Sequence, residues 1–443
     1  MGRYSRRDFM GDTSRLVAGA GLGALSFPAA AAARSAVPAA DKVRVGLIGC
    51  NSMGWANLRE HAALPEVECV ALCDIDQSVL DKRAAELEKM TGKKPVLYTD
   101  FRKLLDSKDI DAVIIGTPDH WHCLMTVYAC QAGKDVYVEK PMASSIEECN
   151  AMVQAAGKYN RVVQVGQWQR SGPHWQSAID YVHSGKLGKI SMVRNWLYYN
   201  SRKATPVVAD SAPPAGVNYD LWLGPAPKRA FNANRFHGSW RYYWDYGGGI
   251  MTDWGVHLID FALYGMKSGM PKTVQATGGK LAFPGSGMET PDTQMALYDF
   301  GDYVISWEHG MGVTAGLYGG NYCGVAFVGT QGTLVVDRDK WRLLPESENG
   351  QYLIPAMPEQ RGGGKDLALH VQNFVSCIKS REKPVCDVET ARKVAVVSHL
   401  GNIALRTGRK VTWDPSSGSF LNDKEATAMT RPQYRDPWKF PKV

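Results

Sequence analysis

The sequence predicts two joined α/β units: a parallel sheet with crossover helices first, then an α+β unit built on a mostly antiparallel sheet. Three observations carry this. Short apolar, β-branched runs alternate with amphipathic stretches from Val43 to Val165. The first run leads straight into the glycine-bearing turn Gly49-Cys50-Asn51-Ser52-Met53-Gly54. Beyond Gly166 the runs are joined by tight-turn signals, Gly301-Asp302 and Thr330-Gln331-Gly332. Strands that alternate with helices suit a parallel sheet, whose connections must cross over. Close hairpins suit an antiparallel one.

Each element follows in order. Val43–Gly49 reads as a buried strand, Trp55–Leu64 as a helix and Val67–Cys73 as a second strand. Gln77–Met90 is amphipathic and rich in Ala, Leu, Lys and Glu, hence helical. Asp111–Gly116, Asp135–Val138 and Val162–Val165 read as strands, separated by helices His122–Ala132 and Ser145–Tyr159. In the second unit the expected strands are Ile190–Tyr199, Thr273–Phe283, Met295–Phe300, Tyr303–Glu308, Gly324–Gly329 and Thr333–Val336. Asp366–Ser380 and Val388–Thr407 read as helices. The last thirty residues lack periodicity and read as a surface tail. The expected division is therefore 1–40, 41–165, 166–413 and 414–443.

Composition excludes several classes. Of 443 residues, 44% are apolar and 21% charged, which rules out intrinsic disorder and a small disulfide scaffold. The formal charge is +7, and five arginines against two aspartates in residues 1–40 supply three of it. No dense Lys/Arg run remains to track a phosphate backbone, so nucleic acid is not an expected partner.

Residues 1–40 read as a targeting segment. Arg6-Arg7 precedes an Ala- and Gly-rich apolar stretch, Leu16 to Phe27, and then the small residues Ala29 to Ala33. This order resembles a bacterial twin-arginine export signal, which implies a periplasmic or otherwise exported protein. The stretch is too short for a stable membrane span, so no stable anchor is expected after cleavage. The nine cysteines are odd in number, contain no CxxC pair and fall largely on apolar runs. Buried free thiols are expected, with Cys69 and Cys73 on one face of their strand, and no structural zinc site.

The glycine turn fits G-x-G-x-x-G except that Asn51 replaces the middle Gly. Asn tolerates positive φ better than other non-Gly residues, and the helix start offers N–H groups to phosphates. Asp74 ends the second strand, where an acid can bind ribose hydroxyls, and Ile75, Asp76 and Gln77 add no cation for a 2′-phosphate. A Rossmann dinucleotide-binding domain that prefers NAD to NADP is the expectation. Glu139-Lys140-Pro141 follows the strand Asp135–Val138, at an end that faces the cofactor crevice. Pro141 is a candidate cis-proline.

These motifs together resemble the glucose–fructose oxidoreductase, inositol dehydrogenase and rhizopine-catabolism (Gfo/Idh/MocA) family. The matching stretches are Gly49–Gly54, Thr117-Pro118-Asp119-His120-Trp121-His122, Gly133–Val136, Glu139–Pro141, Gly247–Asp260 and Gly329–Gly332. The resemblance spans about 42–410. It implies NAD held by Gly49, Asn51, Met53, Gly54, Asp74, Thr117, Pro118, His122, Glu139 and Lys140. It makes Lys140 the active-site lysine, and places His120 and Trp121 within reach of substrate.

Asp253 and His257 are four apart, neighbours on one helical face. Alcohol oxidation needs a base for the hydroxyl proton, so His257 is the expected base and Asp253 its orienter or a substrate ligand. A metal site from Asp253, His257 and Asp260 lacks identifiable further ligands, and none is expected. Aromatic rings suit sugar C–H faces; with the domain junction they make Gln167, Trp168, Arg170, Tyr246 and Trp254 the expected substrate contacts.

The expected activity is hydride transfer between a sugar, glycoside or cyclitol carbon and tightly held NAD, recycled by a second sugar. The alternative is an NAD-dependent glycosidase, a branch of the same family, working by transient C3 oxidation and elimination. Tyr242, Tyr243 or Tyr246 would then supply an added acid or base. By analogy with the family, a homodimer or homotetramer is expected.

Overall fold

The computed structural model describes residues 41–199 and 204–443. The expected export signal at 1–40 lies outside the described residues. Six strands form the first sheet: β1 (Val43–Ile48), β2 (Val67–Cys73), β3 (Val96–Tyr98), β4 (Ala112–Ile115), β5 (Asp135–Val138) and β6 (Val163–Val165). All pair in parallel, in the order β3-β2-β1-β4-β5-β6. This is the doubly wound order of a Rossmann fold. Its helices are α1 (Ser52–Ala62), α2 (Gln77–Thr91), α3 (Phe101–Asp106), α4 (Asp119–Gln131) and α5 (Ile146–Lys158).

The second sheet has ten strands. Its main members are β7 (Ile190–Tyr199), β8 (Thr273–Gly279), β9 (Thr293–Asp299), β10 (Val304–Met311), β11 (Cys323–Gly329), β12 (Gly332–Val336) and β13 (Lys340–Pro345). Pairing is antiparallel except that β7 lies parallel to β10. Helices α6 (Pro173–His183), α7 (Tyr219–Leu223), α8 (Val256–Gly265), α9 (Asp366–Ser380) and α10 (Val388–Thr407) complete the frame. Among the described residues no helix is long and apolar enough to cross a membrane.

The two units share their packing. Val371, Phe374 and Val375 of α9 join one face of the first sheet, with Val45 and Leu47. Val388, Ala391 and Ala395 of α10 join the other, while Val397 and Leu400 pack on the second sheet. The end of the chain is packed too, and is not a surface tail. Ser419–Phe420 is an edge strand, Phe420 is buried, and Trp438 sits edge-on to Trp121 at 4.8 Å. Aromatic area, not periodicity, anchors this segment.

All nine cysteines are buried and free. Cys69 and Cys73, however, point to opposite faces: Cys69 packs with Val45, Cys73 with Ile48. The cause is a bulge. Val45 pairs with Cys69 but Gly46 with Ala71, so the alternation flips at Val70.

Candidate active site

The first crossover turn is an interlock of three glycines. Gly49 has φ +85°, a conformation that favours glycine. A Cβ on Gly54 would lie 2.0 Å from the Gly49 carbonyl oxygen, and one on Gly116 would lie 2.4 Å from the Gly54 Cα. Gly54 therefore packs the helix start against β1 and β4 and does not line the cleft. Asn51 is extended, with φ −104°, and its side chain accepts from Ser52 N. The left-handed residue is Ser52, at φ +44°, so the tolerance of Asn for positive φ is not what this turn uses.

Beside this turn lies an open cleft, bordered by Gly49, Asn51, Met53, Asp74, Thr117 and Pro118, with Glu139 and Lys140 also in its wall. The Asp74 carboxylate accepts from Cys50 N at 2.7 Å and Asp76 N at 3.1 Å. The Thr117 hydroxyl is buried without a protein partner, as expected of a wall built for a polar ligand. These residues fit a dinucleotide. His122 does not line the cleft. Its Nδ1 lies 2.8 Å from the Pro141 carbonyl and its Nε2 2.9 Å from that of Thr117. Burial lowers its pKa to about 4, and a neutral imidazole donates to one of the two, so the ring sits between two loops of the wall.

A strap from the second unit covers the Asp74 side. Gln77 N donates to Gly216 O and Asn218 N to Ile75 O. His237 Nε2 meets Asp76 at 2.7 Å. The Trp222 carbonyl is met by His120 Nε2 at 3.0 Å and accepts from Trp121 Nε1 at 3.1 Å. His120 and Trp121 thus staple α4 to the strap; burial lowers the His120 pKa to about 4.

At the other end, Glu139 accepts from Asn57 Nδ2 at 2.8 Å, and the Lys140–Pro141 bond is cis. Lys140 Nζ donates to the carbonyl and to Oδ1 of Asp253, each at 2.7 Å. Arg241 Nε donates to the same Oδ1 at 3.1 Å. Burial opposes the Asp253 charge, but Lys140 and then Arg241 outweigh it and hold the carboxyl well below its usual range. Burial pushes the neighbouring Asp119 carboxyl well up, against Arg241.

Asp253 lies on a π-helical turn, Met251–Gly255, that feeds α8. Wider winding there breaks the simple four-residue register. The Asp253 side chain is committed to Lys140 and Arg241, not to His257 as expected. His257 stands between indoles, edge-on to Trp168 at 5.8 Å and to Trp254 at 6.2 Å. Its Nδ1 is buried without a partner. Burial, then Lys140 and Arg338, depress its pKa well below 6.5, outweighing Asp253. The ring is neutral, the state a base requires.

Three expected substrate contacts are internal. Gln167 is buried, donating to Val256 O and accepting from Cys386 Sγ. Tyr246 is buried in an aromatic cluster with Trp222, Trp240 and Tyr243, so Tyr243 and Tyr246 are core residues rather than cleft acids. Arg170 grips Asp260 through three contacts of 2.6 to 2.9 Å and lies over Tyr264 at 4.6 Å. Both charges are buried, which explains why Asp260 joins no other site; among the described residues no His, Cys, Asp and Glu cluster is placed for a metal. Arg170→Met strands Asp260 and is expected to cost about 3–5 kcal/mol, most of it regained in Arg170→Met/Asp260→Leu. Urea unfolding midpoints check this. An unchanged midpoint with weakened substrate binding would return Arg170 to the substrate site.

Sequence reasoning missed Arg241, Asp119 and Arg338 as site residues. Arg241 is hidden in the aromatic run Trp240–Trp244, and Asp119 stood inside a quoted motif. Arg338 carries no local signal at all.

A family model described as "Oxidoreductase family, NAD-binding Rossmann fold" matches residues 43–167. Its companion, "Oxidoreductase family, C-terminal alpha/beta domain", matches 187–278 and 349–440. The chain belongs to the Gfo/Idh/MocA oxidoreductase family. Its first unit is the family's NAD-binding domain, and NAD is the cofactor that Asp74 and the glycine turn suit. A glycosyl hydrolase family 109 protein of Shewanella baltica is 34% identical over 157 residues, 34% of each chain. An α-N-acetylgalactosaminidase of Shewanella oneidensis is 32% identical over 157 residues, again 34% of each. The matched stretch thus spans about a third of these curated relatives. A levoglucosan dehydrogenase in complex with NADH shares the fold, with TM-score 0.64 and 22% identity, covering 84% of this chain and 99% of that one.

Proposed function

We propose that this family member transfers hydride between a carbinol carbon of a sugar, glycoside or cyclitol and NAD. The observation that carries the reading is the Lys140–Asp253–Arg241 cluster at the cleft wall, with His257 set between two indoles and within the field of Lys140 and Asp253. NAD, when bound, supplies the hydride acceptor. Glu139 and Thr117 would hold its nicotinamide side, and the glycine turn and Asp74 its phosphates and ribose. Lys140, fixed by two oxygens of Asp253, stabilises negative charge growing on the substrate oxygen. His257 takes the hydroxyl proton. Asp253 positions Lys140 rather than His257.

The strap over the Asp74 side favours retention of cofactor within the protein, which suits export from the NAD pool. We read residues 1–40 as the signal for that export, to the periplasm, with no anchor afterwards. Met192, Met295, Leu297 and Val304 are exposed on the open face of the second sheet. A second copy of this chain is the occupant that face suits, giving a homodimer or homotetramer.

The glycosidase reading draws on the two hydrolase relatives. Both readings begin with the same oxidation. Product mass spectrometry on the mature protein, with a panel of glycosides and NAD, separates them. A glycoside lighter by two hydrogens is the result expected of net oxidation. Free sugar without net NADH assigns the hydrolase, and neither product contradicts both.

A further inference from the structure

Arg338 stands beside His257, and the hydride-transfer reading gives its guanidinium no contact with substrate. It sits at the tip of the β12–β13 hairpin. Asp337 makes that tip: its carboxylate accepts from Asp339 N at 2.8 Å and from Lys340 N at 3.0 Å. The guanidinium carbon then lies 4.1 Å from the ring centre of Trp254 and 4.9 Å from that of Trp168, the two indoles that flank His257.

Its hydrogen bonds are weak. Nε and Nη2 reach only the amide oxygen of Gln169, at 3.4 and 3.3 Å. Other arginines nearby have carboxylates: Arg170 has Asp260, and Arg241 has Asp253. No carboxylate of the described residues forms an ion pair with Arg338: Asp337 is spent on the turn, Asp339 is exposed, and the buried Asp366 carboxyl feels the guanidinium only at longer range. Stacked on indoles, a guanidinium keeps its planar N–H edge for an acceptor. A carboxylate matches that edge in two parallel bonds.

We infer that Arg338 forms an anionic subsite beside His257, and that the substrate is a sugar bearing a carboxylate, of the uronic acid class. Trp168 and Trp254 carry its ring, and Arg338 takes its carboxylate. This rests on the carbohydrate reading above and narrows it.

Calorimetric titration of the NADH-loaded full chain tests it. The probes are methyl glucuronide, methyl glucoside and methyl glucoside 6-sulfate. The glucuronide is expected to bind roughly tenfold or more tightly than the glucoside, with an advantage that shrinks as salt rises. In Arg338→Gln that ratio falls to about one, and Arg338→Lys, a point charge without the fork, recovers only part of it. The wild-type ratio and its salt dependence stand even where a variant misfolds. Equal binding of glucuronide and glucoside, or a preference kept in Arg338→Gln, overturns the subsite and leaves the carbohydrate reading intact. A preference for the sulfate assigns the arginine to tetrahedral esters and overturns the carboxylate. Binding of none of the three removes the carbohydrate reading, and the subsite with it.

Discussion

Lys140→Met is expected to lower turnover roughly 10²–10³-fold, the usual loss when one donor to a developing oxyanion is removed. The ammonium is pinned by the carbonyl and the carboxylate of Asp253, both at 2.7 Å, so it does not reorganise as charge grows on the substrate. Asp253 keeps its own charge through Arg241 as well. Loss of Lys140 leaves Arg241 on Asp253, so the site stays folded while the donor to substrate is gone. Steady-state rates with thermal unfolding as a control check this. A stable variant with wild-type turnover would remove Lys140 from the reaction.

The second large effect concerns His257. His257→Gln preserves volume and polarity but cannot take a proton at neutral pH. Turnover is expected to fall roughly 10²–10⁴-fold. The pH profile gives the sharper test. Burial, Lys140 and Arg338 lower the imidazole pKa well below 6.5, and a base works above its pKa. The acid limb of kcat/KM should therefore lie below the ordinary imidazole range in the wild type and vanish in His257→Gln. In Lys140→Met the same limb should move up, since one of the depressing cations is lost. A limb that survives in His257→Gln would assign the proton to another group.

Much of this was legible in the chain. Strands such as Asp135–Val138 and helices such as Asp366–Ser380 and Val388–Thr407 declare themselves, because burial or amphipathicity writes the pattern locally. The glycine turn and Glu139-Lys140-Pro141 were readable because close backbone approach restricts residue choice. What failed was short or non-local. β3 and α3 were missed because Val96–Tyr98 is short and little buried and Phe101–Asp106 spans under two turns. The bulge at Val70 depends on its neighbour strand. Arg170 looked free until Asp260, ninety residues on, was brought beside it. Asp253 looked bound to His257 until the π turn handed it to Lys140 and Arg241. Arg338 is invisible in sequence because its meaning lies in two indoles from other segments.

In the proposed reaction a sugar carbon surrenders hydride at the Lys140–His257 site. The most direct test is a single-turnover, acid-quenched reaction of the NAD-loaded protein with a glycoside deuterated at its ring carbinol carbons. Deuterium recovered in the nicotinamide, and lost from it in Lys140→Met and His257→Gln, is the predicted result. A glycoside consumed with every deuterium retained, and none in the nicotinamide, would contradict the account.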